Sequence, residues 1–215
     1  MVRFALLALA VTATGCSEEP KSLLVDVRTD FVPGEEFTQV RVDVVGDPAA
    51  SMRVPVSLDD DYLSGVRTAE LELEAGTVAI DVTLLDVAES VVATRRTVVA
   101  LGDDLGIIVI VTRSCREIDC SEPGTTCFNA SCVNDSCRPG APESCPAPMC
   151  TTDADCPARD ACSNGVCDDG ACLYEPIADA CAPTEYCDPD TGCLRRSSAP
   201  PDAAMGTCVS GSAVT

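Results

Sequence analysis

The sequence has no histidine and no tryptophan, and only three tyrosines and four phenylalanines in 215 residues. Without histidine, every Ser–His or Cys–His nucleophilic mechanism is excluded. The shortage of aromatics leaves little from which to build a platform for glycan recognition. Basic residues are scarce too: 14 Lys/Arg stand against 35 Asp/Glu, a formal net charge of −21. Such a chain repels phosphate backbones and anionic lipid surfaces, which argues against nucleic-acid binding. Glycine-rich phosphate loops and serine elbows are absent as well. Carboxylate pairs serve glycoside hydrolysis in other proteins, but 35 acidic residues make any one pair uninformative. No catalytic residue, resident metal or cofactor is assigned, and the chain reads as a non-enzyme.

Long apolar runs are also missing. FALLALAV at residues 4–11 follows Arg3 and is far shorter than the roughly 20 residues that cross a bilayer, so it reads as a targeting segment. LGIIVIVT at 105–112 has the length of a strand.

Cysteine is what the chain has in excess. Of sixteen, Cys16 is alone in the first 114 residues, fourteen fall in 115–193, and Cys208 stands apart. Residues 17–113 must therefore fold on a hydrophobic core, whereas 114–193 depend on covalent cross-links. Both halves are acidic, with eight Lys/Arg against nineteen Asp/Glu in 17–113 and five against sixteen in 114–215.

TATGC at residues 12–16 resembles the lipobox of bacterial lipoproteins, with Gly15 before Cys16 and Ala13 where leucine is usual. The resemblance implies a signal peptide over 1–15, lipid attachment at Cys16 and a polar tether over 16–21. By the same resemblance Ser17, in place of aspartate, implies sorting to the outer membrane. The alternative is ordinary signal-peptidase cleavage after Ala10 or Ala13 and secretion. Both routes lead to an oxidising compartment.

Residues 22–113 carry seven short bursts of period-two hydrophobicity rich in valine: SLLVDVRT, FTQVRVDVV, SMRVPVSL, VRTAELELE, TVAIDVTLLD, SVVATRRTVVAL and GIIVIVTR. Turn-forming stretches such as VPGEE, GDPAA and LGDDLG separate them. The pattern predicts an all-β domain, a seven-stranded antiparallel β-sandwich, because the connections are too short for parallel crossovers. LEAGTVAIDVTLLD at 73–86 resembles a stretch of bacterial immunoglobulin-like and fibronectin III-like sandwiches. Asp59, Asp60 and Asp61 are candidate calcium ligands, set against a plain solvated turn.

In 114–193 the spacing of Cys115, Cys120, Cys127, Cys132, Cys137 and Cys145 matches that of Cys150, Cys156, Cys162, Cys167, Cys172 and Cys181. Cys187 and Cys193 begin a partial third copy. This reads as two copies of a repeat about 36 residues long, with Cys150 able to close the first or open the second. CFNASCVNDSC aligns with CSNGVCDDGAC. All fourteen cysteines are assigned to disulfides; six per unit allow 15 connectivities, and the sequence does not choose among them. The absence of histidine and of C-x-x-C argues against zinc and redox roles. CTTDADCPARDAC, with the cysteine spacing, resembles EGF-like and Dickkopf N-terminal cysteine-rich modules, which implies protein–protein interaction. CDPDTGC (187–193), Asp153 and Asp155 share features with calcium loops, and calcium is kept as a minor alternative to tight turns. Asn129 and Asn134 open sequon-like triplets. Residues 194–215 read as a disordered tail.

The expected function is that of an exported, lipid-anchored envelope protein with an adhesion, scaffolding or other interaction role. Its partners would be the membrane, through the lipid, and an unknown protein. The alternative is a secreted disulfide-rich inhibitor or effector, with CREIDC and CLYEPIADAC as presenting loops.

Overall fold

The computed structural model describes residues 19–197 apart from 140, 147 and 149. The expectations for residues 1–18, including Cys16, and for 198–215, including Cys208, lie outside the described residues. Among those described, no helix is long and apolar enough to cross a membrane.

Seven strands form the first domain: β1 (Lys21–Thr29), β2 (Gln39–Val44), β3 (Asp47–Pro55), β4 (Val66–Leu73), β5 (Gly76–Leu85), β6 (Val91–Leu101) and β7 (Leu105–Val111). They make two sheets, ordered β4-β1-β7 and β3-β2-β5-β6. Alternation places Leu23, Val25 and Val27 of β1 opposite Val40, Val42, Ile80, Val82 and Leu84 of the other sheet, all fully buried. At roughly 1.5–3 kcal/mol per buried aliphatic side chain, this face is the main stabilising feature of the domain. Phe37 and Tyr62 close one end edge-to-face, with ring centroids 5.2 Å apart.

The expected all-β sandwich is therefore the observed one, with one correction to the strand pairing. β1 and β7 run parallel, Leu23 opposite Leu105 through Thr29 opposite Val111. Short connections forbid parallel pairing only between neighbours in sequence. β1 and β7 are the first and last strands, and the whole domain serves as their crossover.

The second part of the chain is built from three hairpins: β8 (Thr125–Phe128) with β9 (Ser131–Asn134), β10 (Ser163–Asp168) with β11 (Ala171–Pro176), and β12 (Glu185–Asp188) with β13 (Gly192–Arg195). The first two turn through two residues with positive φ, Asn129–Ala130 and Asp169–Gly170. That is the backbone that right-twisted hairpins favour.

Each hairpin places two cysteines directly opposite each other: Cys127 and Cys132, Cys167 and Cys172, Cys187 and Cys193. These do not bond to each other. They reach two upstream cysteines instead, giving Cys115–Cys127 with Cys120–Cys132, Cys150–Cys167 with Cys156–Cys172, and Cys162–Cys187 with Cys181–Cys193. Cross-strand neighbours share one face of the ribbon, so two disulfides clamp that face to the segment before it. Cys137–Cys145 completes seven disulfides and uses the last of the fourteen cysteines.

This grouping differs from the alignment by spacing. The spacing matches Cys127 and Cys132 to Cys162 and Cys167, whereas the hairpins match them to Cys167 and Cys172 and then to Cys187 and Cys193. The third set is interleaved with the second, since Cys162 lies upstream of the β10–β11 hairpin yet bonds beyond it.

The two parts pack together. Ile108 and Ile110 lie on the outer face of β7 and meet Phe128, Val133, Ala171 and Leu173 in a second small core. The unbroken apolar run of β7 thus has both faces covered. The outer edge of β6 is capped as well: Val98 N–H donates to the Asp135 carbonyl at 2.9 Å and Arg96 N–H to Thr126 Oγ1 at 2.8 Å. Covering it removes one open sheet edge.

Candidate functional site

Two arginines fasten the parts. Arg95 alternates inward between Ala93 and Thr97 on β6 and is 1% exposed. Its guanidinium donates to the Ile110 carbonyl at 2.5 Å and the Cys137 carbonyl at 2.7 Å, and stacks on Phe128 at 4.1 Å. Burial pushes its pKa down to about 10. Arg113 lies just beyond β7 and is held by Glu36 of the sandwich and by Asp188 of the third hairpin, the latter at 3.2 Å. Its backbone N–H donates to Asp30 Oδ1 at 2.6 Å. Burial pushes the Asp30 carboxyl up to about 6, although hydrogen bonding and the Arg113 charge oppose the shift. Arg28 pairs with Asp168, and Glu35 receives Arg196 and Ser197, which adds two more ties.

These contacts are structural. The sequence signal for Arg95 was its neighbour: two consecutive arginines in a strand must point to opposite faces, so one of Arg95 and Arg96 had to turn inward.

Apart from Asp59, the carboxylates singled out for calcium are engaged in the fold. Asp60 accepts from Ser57 N–H at 2.7 Å, and Asp61 from Ser64 N–H at 3.1 Å, both as turn bonds; Asp59 stands beside them. Asp155 Oδ2 accepts from the backbone of Thr151 and Thr152 in a capping box, and Asp153 accepts from Cys167 N–H at 2.9 Å. Asp188 accepts from the N–H groups of Asp190 and Thr191 and meets Arg113, while Asp190 pairs with Arg159 at 2.7 Å. Oxygens committed to N–H donors in this way are turn-building groups. Asn129 is buried and donates to the Gly170 carbonyl at 3.1 Å, and Asn134 accepts from Ser136 N–H at 2.9 Å. Two sets of three sulfurs lie within 4.8 Å of one another, those of Cys150, Cys156 and Cys172 and those of Cys162, Cys181 and Cys193. Each sulfur is already in a disulfide, and a metal would need the thiolate.

Two concavities stand out among the described residues. One, of about 670 Å³, runs from Val32 to the third hairpin past Ile177 and Tyr186 and carries Asp179 and Glu185. Its arginine, Arg196, is tied to Glu35 at 3.4 Å. The other, of about 650 Å³, lies between the tip of the first hairpin, the 138–151 segment and the tip of the second. Phe128, Val133 and three prolines, Pro139, Pro146 and Pro148, give it apolar walls. Cys132, Cys145 and Cys150 also line it, each held by a disulfide.

Arg138 is the cation of this second groove. Its Nε is shielded from solvent without a hydrogen-bond partner, and its Nη1 makes one long contact, 3.4 Å, to the adjacent Pro139 carbonyl. Nothing in the sequence marked Arg138, since its setting arises from segments brought together by disulfides.

No family model, no curated protein and no solved structure matches this chain.

Proposed function

We propose that this is an exported cell-envelope protein, anchored by lipid at Cys16, whose cysteine-rich part serves protein recognition rather than catalysis. The observation that supports it is the pairing of all fourteen cysteines from Cys115 to Cys193 in seven disulfides. Such density belongs to oxidising compartments. The Gly15–Cys16 motif supplies the route and the anchor, with the outer membrane as destination.

The test is the intact mass of the chain extracted without reduction and alkylated as isolated, together with fractionation of the producing cells. The expected mature chain starts at Cys16, carries acyl chains, sediments with membranes and takes no alkyl group between residues 115 and 193. A chain cut after Ala10 or Ala13 and found in the medium would refute the anchor.

That outcome would move the reading to a secreted inhibitor or effector. The loop between Cys115 and Cys120 supports this second reading. Its ends are clamped by two disulfides, Glu117 has φ of 60°, and Ile118 is 37% exposed at its tip. Inhibition of a protease panel that disappears with Ile118→Asp would carry it.

A further inference from the structure

We infer that the free edge of β3 pairs with β3 of a second copy of this chain, giving a two-fold dimer with one continuous β-sheet. This goes beyond the recognition role proposed above and does not rest on it.

The backbone is the first argument. β3 ends the β3-β2-β5-β6 sheet, and among the described residues β2 is its one ladder partner. Val56 N–H donates to the Thr38 carbonyl at 2.9 Å, one step beyond the Gln39–Pro55 pair, and this sets the alternation along the ladder. Val54 and Met52 therefore exchange hydrogen bonds with Val40 and Val42, while the N–H and C=O groups of Ser51 and Arg53 point away from β2. Ser51, Met52 and Arg53 are all exposed. A row of outward donors and acceptors is a template for another strand. The opposite edge of the same sheet is closed, since Thr126 and Asp135 cap β6.

Self-complementarity names the occupant. Antiparallel pairing about a two-fold axis at Met52 sets Ser51 opposite Arg53 of the second copy, and Ala50 opposite its Val54. Each Ser51–Arg53 pair then exchanges both its hydrogen bonds, and no outward group of either residue is left over. Ala50, Met52 and Val54 alternate onto one side of the strand as an apolar stripe. Met52, 38% exposed in the single copy, meets its counterpart at the axis. On the other side, Ser51 Oγ donates to Asp43 Oδ1 at 2.6 Å, so the arriving Arg53 lies beside a carboxylate. Within its own copy Arg53 pairs with Glu89 at 3.3 Å, but the two side chains are 48% and 62% exposed, and such a pair holds weakly.

Charge favours the same edge. Arg41 and Arg53 balance Asp43 and Asp47 on β2 and β3, whereas β4, at the end of the other sheet, carries Glu70 and Glu72 against Arg67. In a chain of formal net charge −21, two copies meet with least repulsion along a balanced strip. Pro48 and Pro55 lack the N–H and end the ladder on either side, which fixes the register on Met52. A two-fold contact uses up the edge, so assembly stops at two copies.

The test is sedimentation equilibrium of the full oxidised chain carrying Cys16→Ser, which keeps any lipid from driving association. A monomer–dimer equilibrium with a Kd of roughly 100 µM is expected, tightening as salt screens the repulsion between two acidic copies. Met52→Lys sets like charges against each other at the axis, and Ser51→Pro removes an outward N–H. Each should weaken the dimer at least about tenfold while keeping the wild-type far-UV spectrum, since both positions are exposed on an edge strand. Amide exchange followed by NMR reads the site itself. The Ser51 and Arg53 N–H groups should exchange fast in dilute protein and slow down as concentration rises. A chain that stays monomeric up to about 1 mM at low and high salt would overturn the proposal, as would a dimer indifferent to both substitutions. Protection of Ser51 and Arg53 that does not change with concentration would also overturn it, because the edge would then be covered without a second copy. None of these readouts depends on the lipid, so the anchor and the dimer can fail separately.

Discussion

Replacing Arg113 by methionine should cost about 3–4 kcal/mol at pH 7, and the cost should shrink in acid. Arg113 is 1% exposed and faces Glu36 and Asp188, themselves 6% and 8% exposed, with Asp30 close by. Breaking a buried ion pair from one side typically costs about 3–5 kcal/mol, because the remaining charge stays buried without its partner. Several contacts survive and place the estimate toward the lower end. Glu36 keeps Arg116, Asp188 keeps the N–H groups of Asp190 and Thr191, and Asp30 keeps the backbone N–H of residue 113. The Phe31 ring loses Arg113 at 5.1 Å but keeps Arg116 at 5.0 Å. Urea unfolding of the oxidised chain, followed by far-UV circular dichroism, should show a midpoint about 1.5–2 M lower at a slope of ~2 kcal/mol/M. Near pH 4.5 Asp30, whose folded pKa is about 6, is protonated, so one of the charges that Arg113 faces is gone and the deficit should shrink. A loss below about 1 kcal/mol at neutral pH, or an equal loss at both pH values, would refute the view that Arg113 neutralises buried charge.

Two further substitutions probe the same packing. Asp30 has a folded pKa of about 6 against an ordinary 3.8, so between these values the native state binds more protons and stability falls as pH rises. Asp30→Asn should remove that slope, so that variant minus wild-type stability rises by about 2–3 kcal/mol from pH 4 to pH 7; a constant difference would contradict it. Gly165→Ala would place a Cβ 1.9 Å from the Cys156 carbonyl oxygen and 2.9 Å from the Cys156 Cβ. The backbone beside Cys156–Cys172 would have to move, so the yield of the fully oxidised chain should drop severalfold on non-reducing mass analysis. Wild-type yield and thermal midpoint would show that the approach is not tight.

Much of the first domain was legible because its determinants are local. Alternation of valine and polar residues sets which face of each strand is buried, and Leu23, Val25 and Val27 show it in β1. The same rule implied that one of Arg95 and Arg96 points inward, but only packing identifies Arg95 and supplies Ile110, Cys137 and Phe128 as its surroundings. The cysteine spacing misaligned the repeats because a gap of four residues also follows the first hairpin, Cys132 to Cys137, and precedes the second, Cys162 to Cys167, so the hairpin gap is not distinctive. Turn chemistry was the better guide: CFNASC, CDDGAC and CDPDTGC each set turn-forming residues between two cysteines.

By itself, then, the sequence determined a valine-patterned β domain, a cysteine-linked part without one large core, and a strongly acidic surface. Each follows from composition or from short-range periodicity. The tertiary structure decided the parallel pairing of β1 with β7, the partner of each of the fourteen cysteines from Cys115 to Cys193 and the burial of Arg113 among Asp30, Glu36 and Asp188. These are relations between residues that are not neighbours in the chain, and they exist only once it has folded.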